Sequence, residues 1–181
     1  HLVDVVSNQS GSDHPSRGIF VDTALDSTYD CNYIQRLICA STAEVNAVIA
    51  RSPLPATARD IVLVVVNDTE YGGSGGSIAV VSRHASGVEL ILHEVGHSFG
   101  RLADEYTTQP PACVSSEPAE VNATAVTQAG LIKWSHWIVA GRQIPSTDTT
   151  PGVPGLYLGA RYCPTTLYRP TYDSKMRTLG R

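Results

Sequence analysis

The chain has 181 residues, 42% of them hydrophobic and 17% charged, with 13 basic and 17 acidic side chains and a formal net charge of −4. That apolar content at this length supports a core of its own and excludes a disordered polypeptide, and no apolar run approaches the roughly 20 residues a membrane-spanning helix needs. No Lys/Arg cluster provides the electrostatic footprint of a nucleic-acid binder.

His1-Leu2-Val3-Asp4 opens the chain without a Met, a basic region or an apolar targeting segment, so a processed or excised piece is expected. Leu2 to Val6 is a short β-prone run, and the polar stretch from Ser7 to Gly18 reads as loop. Helical signals run from about Thr28 to Arg51, with Ser41 and Glu44 in a capping-box pattern and Val45, Val48 and Ile49 on one face. Ser52-Pro53-Leu54-Pro55 ends that helix. Asp60 to Asn67 is too uniformly apolar for a half-solvated strand and is expected to be the central strand of a sheet, covered on both faces. Tyr71 to Gly76 reads as a flexible glycine-rich connection, and Ser77 to Ser82 as a second, shorter strand.

From Ser86 to Gly100 the apolar residues Val88, Ile91, Leu92, Val95 and Phe99 make the stripe of an amphipathic helix, expected to be its core face. Ser86 with Glu89 forms its capping box, and Gly100 suits its C′ position. Beyond Thr107 the chain is rich in Pro, Gly and Thr and is expected to be mostly loop, with one helical turn near Asp173 to Leu179. Without an internal repeat or composition break, residues 1–181 are expected to form a single domain.

Four cysteines, at 31, 39, 113 and 163, lack any C-x-x-C spacing. Disulfides are expected over buried free thiols. Three connectivities are possible and the sequence does not choose among them, though Cys31 with Cys39 makes a plausible local loop and Cys113 with Cys163 would tie two distant loops; disulfides point to an exported protein.

The capped helix contains His93-Glu94-Val95-Gly96-His97. Residues four apart rise about 6 Å on one face, so both imidazoles can point at one ion, with Glu94 beside them, free to reach a water rather than the metal. The accidental alternative, a surface helix carrying two histidines and a glutamate, is opposed by the amphipathic register, the caps and the carboxylates that follow. A catalytic zinc site takes three protein ligands. The extended motif H-E-x-x-H-x-x-G-x-x-H/D, with Gly100 in its glycine position, would place the third at 103, where Ala103 cannot ligate, so Asp104 is the expected ligand, with Glu105 the close alternative. Tyr106, Tyr168 and Tyr172 are candidate oxyanion donors, Tyr172 ranking first for its proximity to Met176, the chain's single methionine. His14, His84 and His136 lack ligand spacing, and the sequons at Asn8, Asn67 and Asn122 carry little weight alone.

The run from Glu89 to Tyr106, ending in Leu102-Ala103-Asp104-Glu105-Tyr106, together with the glycine-rich segment at Tyr71 to Gly76, Trp134-Ser135-His136-Trp137, and Tyr168 to Thr171 running into Met176, resembles the bacterial IgA-peptidase family of zinc metallopeptidases. The resemblance implies an α+β, zincin- or metzincin-like fold: a twisted mixed β-sheet with a backing helix, an active-site HExxH helix and a loop-rich C-terminal part. It implies Zn2+ held by His93, His97 and Asp104, Glu94 as general base, and Met176 as an apolar floor beneath the ligands. It also leads to the expectation of a further strand upstream.

The expected protein is a secreted, periplasmic or cell-surface zinc endopeptidase, a monomer acting on a protein or peptide substrate, with no nucleic-acid partner and no membrane span. An extended substrate is expected to pair with the strand Ser77 to Ser82. The rival reading is a non-catalytic module that binds protein or glycan and whose metal site is structural or vestigial.

Overall fold

The computed structural model describes residues 1–107, 113 and 116–180. The loop reading at 108–112 and 114–115 lies outside the described residues. The architecture is mixed α and β, with two α-helices and two small sheets. Two compact units divide the chain, His1–Phe99 and Gly100–Arg181.

In the first unit, helix α1 spans Thr42–Ala50. Ser41 caps it, its hydroxyl accepting from the Glu44 N–H at 3.3 Å, as the capping pattern predicts. The helix is much shorter than the expected Thr28–Arg51, because a Cys31–Cys39 disulfide closes residues 31–39 into a loop with left-handed backbone at Asn32 and Tyr33. Strands β1 (Leu63–Val66), β2 (Gly73–Ser74) and β3 (Ala79–Ser82) form a sheet of order β1-β3-β2, β1 parallel and β2 antiparallel to β3.

This order corrects two sequence expectations. The spine is β3, buried at every residue, whereas β1 is an edge whose residues alternate between exposed and buried. Val64 and Val66 enter the core with Tyr29, Ile38, Val45 and Val80, while Leu63 and Val65 face out. A uniformly apolar run says nothing about which strands flank it, so the inference of burial on both faces fails here. Because β3 is paired on both sides, it cannot accept an extended substrate. Leu2 to Val6 forms no strand.

Helix α2 spans Gly87–Ser98 and packs on β2 and β3. Its buried residues are Leu90, His93 and Glu94. The expected core stripe is turned outward, with Val88 70%, Leu92 51% and Phe99 63% exposed. The Ser86 hydroxyl makes no capping bond; the Ser86 N–H instead donates to Nδ1 of His84. The left-handed residue after the helix is Arg101 (φ 50°), one position beyond Gly100.

In the second unit, β4 (Tyr157–Ala160) and β5 (Cys163–Arg169) form an antiparallel hairpin where loop was expected. Its turn, Arg161–Tyr162, has both residues left-handed (φ 48° and 63°), the backbone of a type I′ turn without its usual Asn-Gly. One core packs Ala103, Ala123, Ala160, Cys163 and Leu167; another packs Ile132, Trp134 and Leu156 with Tyr168 against them. A Cys113–Cys163 disulfide spans 50 residues, so of the three connectivities the sequence left open the one formed is Cys31–Cys39 with Cys113–Cys163. The expected single turn near the C-terminus is present, the Thr178 N–H reaching the Ser174 carbonyl at 2.9 Å. Among the described residues no helix is long and apolar enough to cross a membrane.

Candidate metal centre

Helix spacing alone puts His93 and His97 on one face, and α2 turns that face inward: His93 is 5% and Glu94 7% exposed. Nε2 of His93 and Nε2 of His97 stand 3.2 Å apart, with the rings edge to face at 4.8 Å between centroids. A carboxylate oxygen of Glu94 completes a group whose donor atoms all lie within 4.8 Å of one another. The geometry admits a shared ion. Two vertices of a tetrahedron with bonds of about 2.0–2.1 Å lie about 3.3–3.4 Å apart, close to the imidazole separation observed. Two imidazole nitrogens and an adjacent carboxylate, with His93 and Glu94 buried and His97 partly so, fit a borderline cation such as zinc better than the all-oxygen ligation of calcium or magnesium.

β2 runs against the same helix face. A β-carbon added at Gly73 would stand 2.9 Å from Oε1 of Glu94, and one at Gly75 would stand 2.7 Å from Cβ of His97 and 3.1 Å from Oε2 of Glu94. Ser98 ties the helix end to the glycine segment, its Oγ donating to the Glu94 carbonyl and accepting from the Gly76 N–H. Tyr71, at the start of this segment, was not singled out by sequence. Burial pushes its phenol above the ordinary range; the Arg36 cation opposes that rise and the Glu94 carboxylate adds to it.

The remaining sequence candidates lie in the second unit. The Asp104 carboxylate accepts a hydrogen bond from the Tyr162 hydroxyl. Both residues of the left-handed turn also bond this stretch: the Arg161 N–H reaches the Asp104 carbonyl and the Tyr162 N–H the Tyr106 carbonyl, each at 2.8 Å. Glu105, 1% exposed, accepts from Nδ2 of Asn122 at 3.0 Å and from Oγ of Ser174 at 2.7 Å, while its own N–H donates to the Met176 carbonyl at 2.8 Å. Met176 is buried in a turn held by Ser174. The chain at 104–105 and the methionine turn are therefore locked together within one unit. The sequon asparagine at 122 serves this lock, since its amide also spans both polar groups of the Ala103 backbone.

Tyr172 is half-buried, its ring edge-on to Tyr157 and beneath the Arg177 guanidinium at 5.1 Å; its carbonyl is held by Arg169 and Arg177. Tyr168 belongs to β5 and packs in the core around Trp134, and Tyr106 packs against Tyr162. His14 is buried, stacks on Tyr29 at 4.3 Å and meets Asp68 at 3.1 Å. His136 is exposed against Trp137.

Burial raises the Glu105 carboxyl above its ordinary 4.5, although Ser174, Asn122, Arg169 and Arg177 pull the other way. The folded chain then holds this proton to higher pH than the unfolded chain does. Stability is expected to fall as pH rises from 4.5 through the folded value, the contribution being complete only below 4.5. Glu105→Gln, which cannot ionise, removes that slope. Melting curves of both proteins across mildly acidic to neutral pH check this, and parallel pH profiles would contradict it.

Two imidazoles and a carboxylate on the inner face of one helix define a candidate metal centre of the kind that hydrolases use. The sequence model of the IgA Peptidase M64 family matches residues 2–149, and the chain belongs to this family of metallopeptidases. The match takes in the His93–His97 helix and the Asp104–Glu105 stretch and ends before Tyr172 and Met176. Among curated proteins, none matches the chain.

Proposed function

We propose that residues 1–181 act as one catalytic domain, a zincin-like, zinc-dependent metalloendopeptidase in which His93, His97 and Asp104 hold the ion and Glu94 is the general base. The observation that carries this reading is the convergence of the His93 and His97 Nε2 atoms at 3.2 Å with a Glu94 oxygen beside them. Asp104 is preferred to Glu105 because both Glu105 oxygens are engaged by Asn122 and Ser174. Met176, buried in its turn and bonded to the neighbouring Glu105, supports a methionine floor of the metzincin type.

A zinc ion bound there would supply Lewis acidity, making a water easier to deprotonate and a carbonyl easier to attack. Glu94 takes the proton of the attacking water on a carboxylate oxygen and returns it to the leaving amine, so the residue ends as it began. Its burial and the close β2 backbone hold that carboxylate in place and limit competing water. Tyr172 is the proposed donor to the oxyanion. An extended peptide reaching Glu94 would lie beside β2, because β3 is paired on both sides.

Two disulfides are compatible with an extracellular protein, and we read the chain as a secreted, periplasmic or surface-exposed monomer. Digestion of a peptide library by the whole chain is expected to yield cleavage at internal bonds. Release of terminal residues only would refute the endopeptidase assignment.

A further inference from the structure

We infer that Gly73 and Gly75 are positioning residues that set where the Glu94 carboxylate and the His97 ring stand; the inference rests on the reading of Glu94 as base and His97 as ligand. Neither glycine has a left-handed backbone, so conformational need does not account for them. Space does. A β-carbon at Gly73 would press on Oε1 and Cγ of Glu94, at 2.9 and 3.3 Å, and on the Val80 carbonyl at 3.3 Å. One at Gly75 would meet Cβ and Cδ2 of His97, at 2.7 and 3.0 Å, and Oε2 of Glu94 at 3.1 Å. Each carboxylate oxygen of Glu94 thus faces its own glycine, and the His97 ring lies against the second. Gly72 differs: its missing side chain makes room for Tyr29, Ile38 and the Arg36 carbonyl, all outside the metal group.

Gly72, Gly73 and Gly75 therefore divide three tasks, and their alanine variants should separate. In the whole chain, three quantities are read: zinc affinity by competition with a chromogenic chelator, kcat on a casein peptide, and Tm. Gly73→Ala is expected to lower kcat about 100-fold, the cost of misplacing a reacting group by about an ångström, with zinc affinity unchanged. Gly75→Ala is expected to weaken zinc binding about 10–100-fold, as loss of a ligand's support does. Gly72→Ala lowers Tm and leaves the zinc affinity of the folded protein alone. Should Gly73→Ala or Gly75→Ala fail to fold, the pairs Gly73→Ala with Glu94→Ala and Gly75→Ala with His97→Gly remove the closest opposing atoms, leaving only the tight contacts to the Val80 carbonyl at 3.3 Å and to Oε2 of Glu94 at 3.1 Å, and are expected to fold. Failure of those pairs overturns the inference. So does wild-type turnover in Gly73→Ala or wild-type zinc affinity in Gly75→Ala. A wild-type chain that neither binds zinc nor cuts peptides defeats the functional reading itself, which keeps the two failures distinct.

Discussion

Glu94→Gln is expected to lower peptide cleavage by about 10²–10⁴-fold while leaving bound zinc in place, because general base catalysis contributes about that factor and the amide cannot accept the water's proton. The substitution is nearly isosteric, so the crowded space beneath Gly73 and Gly75 stays filled and the fold is undisturbed. Zinc affinity, Tm and turnover measured together separate the outcomes. Turnover at the wild-type rate with zinc bound would remove Glu94 from the mechanism. Loss of zinc along with activity would mean that the carboxylate ligates the ion instead.

The second large effect concerns Asp104, the proposed third protein ligand. Asp104→Ala and His97→Ala are each expected to weaken zinc binding by well over 100-fold, beyond the 10–100-fold typical of groups that only support a ligand. Glu105→Gln should leave zinc affinity near wild type, because that carboxylate serves Asn122 and Ser174. Chelator competition on the three variants decides the matter. An Asp104→Ala protein that keeps wild-type affinity would displace Asp104 from the site, and loss confined to Glu105→Gln would give the role to its neighbour.

Much of the candidate site was legible before the fold was. The His93–His97 spacing is a property of one helix, and a helix obeys its local geometry whatever it packs against. The same holds for the Ser41 cap. What failed was inference about surroundings. Val88, Leu92 and Phe99 have the periodicity of a core stripe, yet the helix buries His93 and Glu94 instead, since that face, and not the apolar one, meets β2 and β3. The Val-rich strand β1 reads like a sheet centre but lies at an edge. The β4–β5 hairpin went unseen because Arg161–Tyr162 carries none of the turn chemistry that normally announces a two-residue loop, and Pro164 argues against a strand. The glycines at 73 and 75 look like a flexible link in sequence, because close approach by another element leaves no local trace. What a side chain there would strike is set by the fold, where helix α2 lies against the segment.

The most direct test of the account is the metal content and activity of the purified whole chain, before and after chelation. One zinc per chain is expected, with cleavage of a casein or gelatin substrate lost to a chelator and restored by added zinc. Peptide cleavage that persists in the metal-free protein, or a chain that retains zinc and cuts nothing, would contradict it.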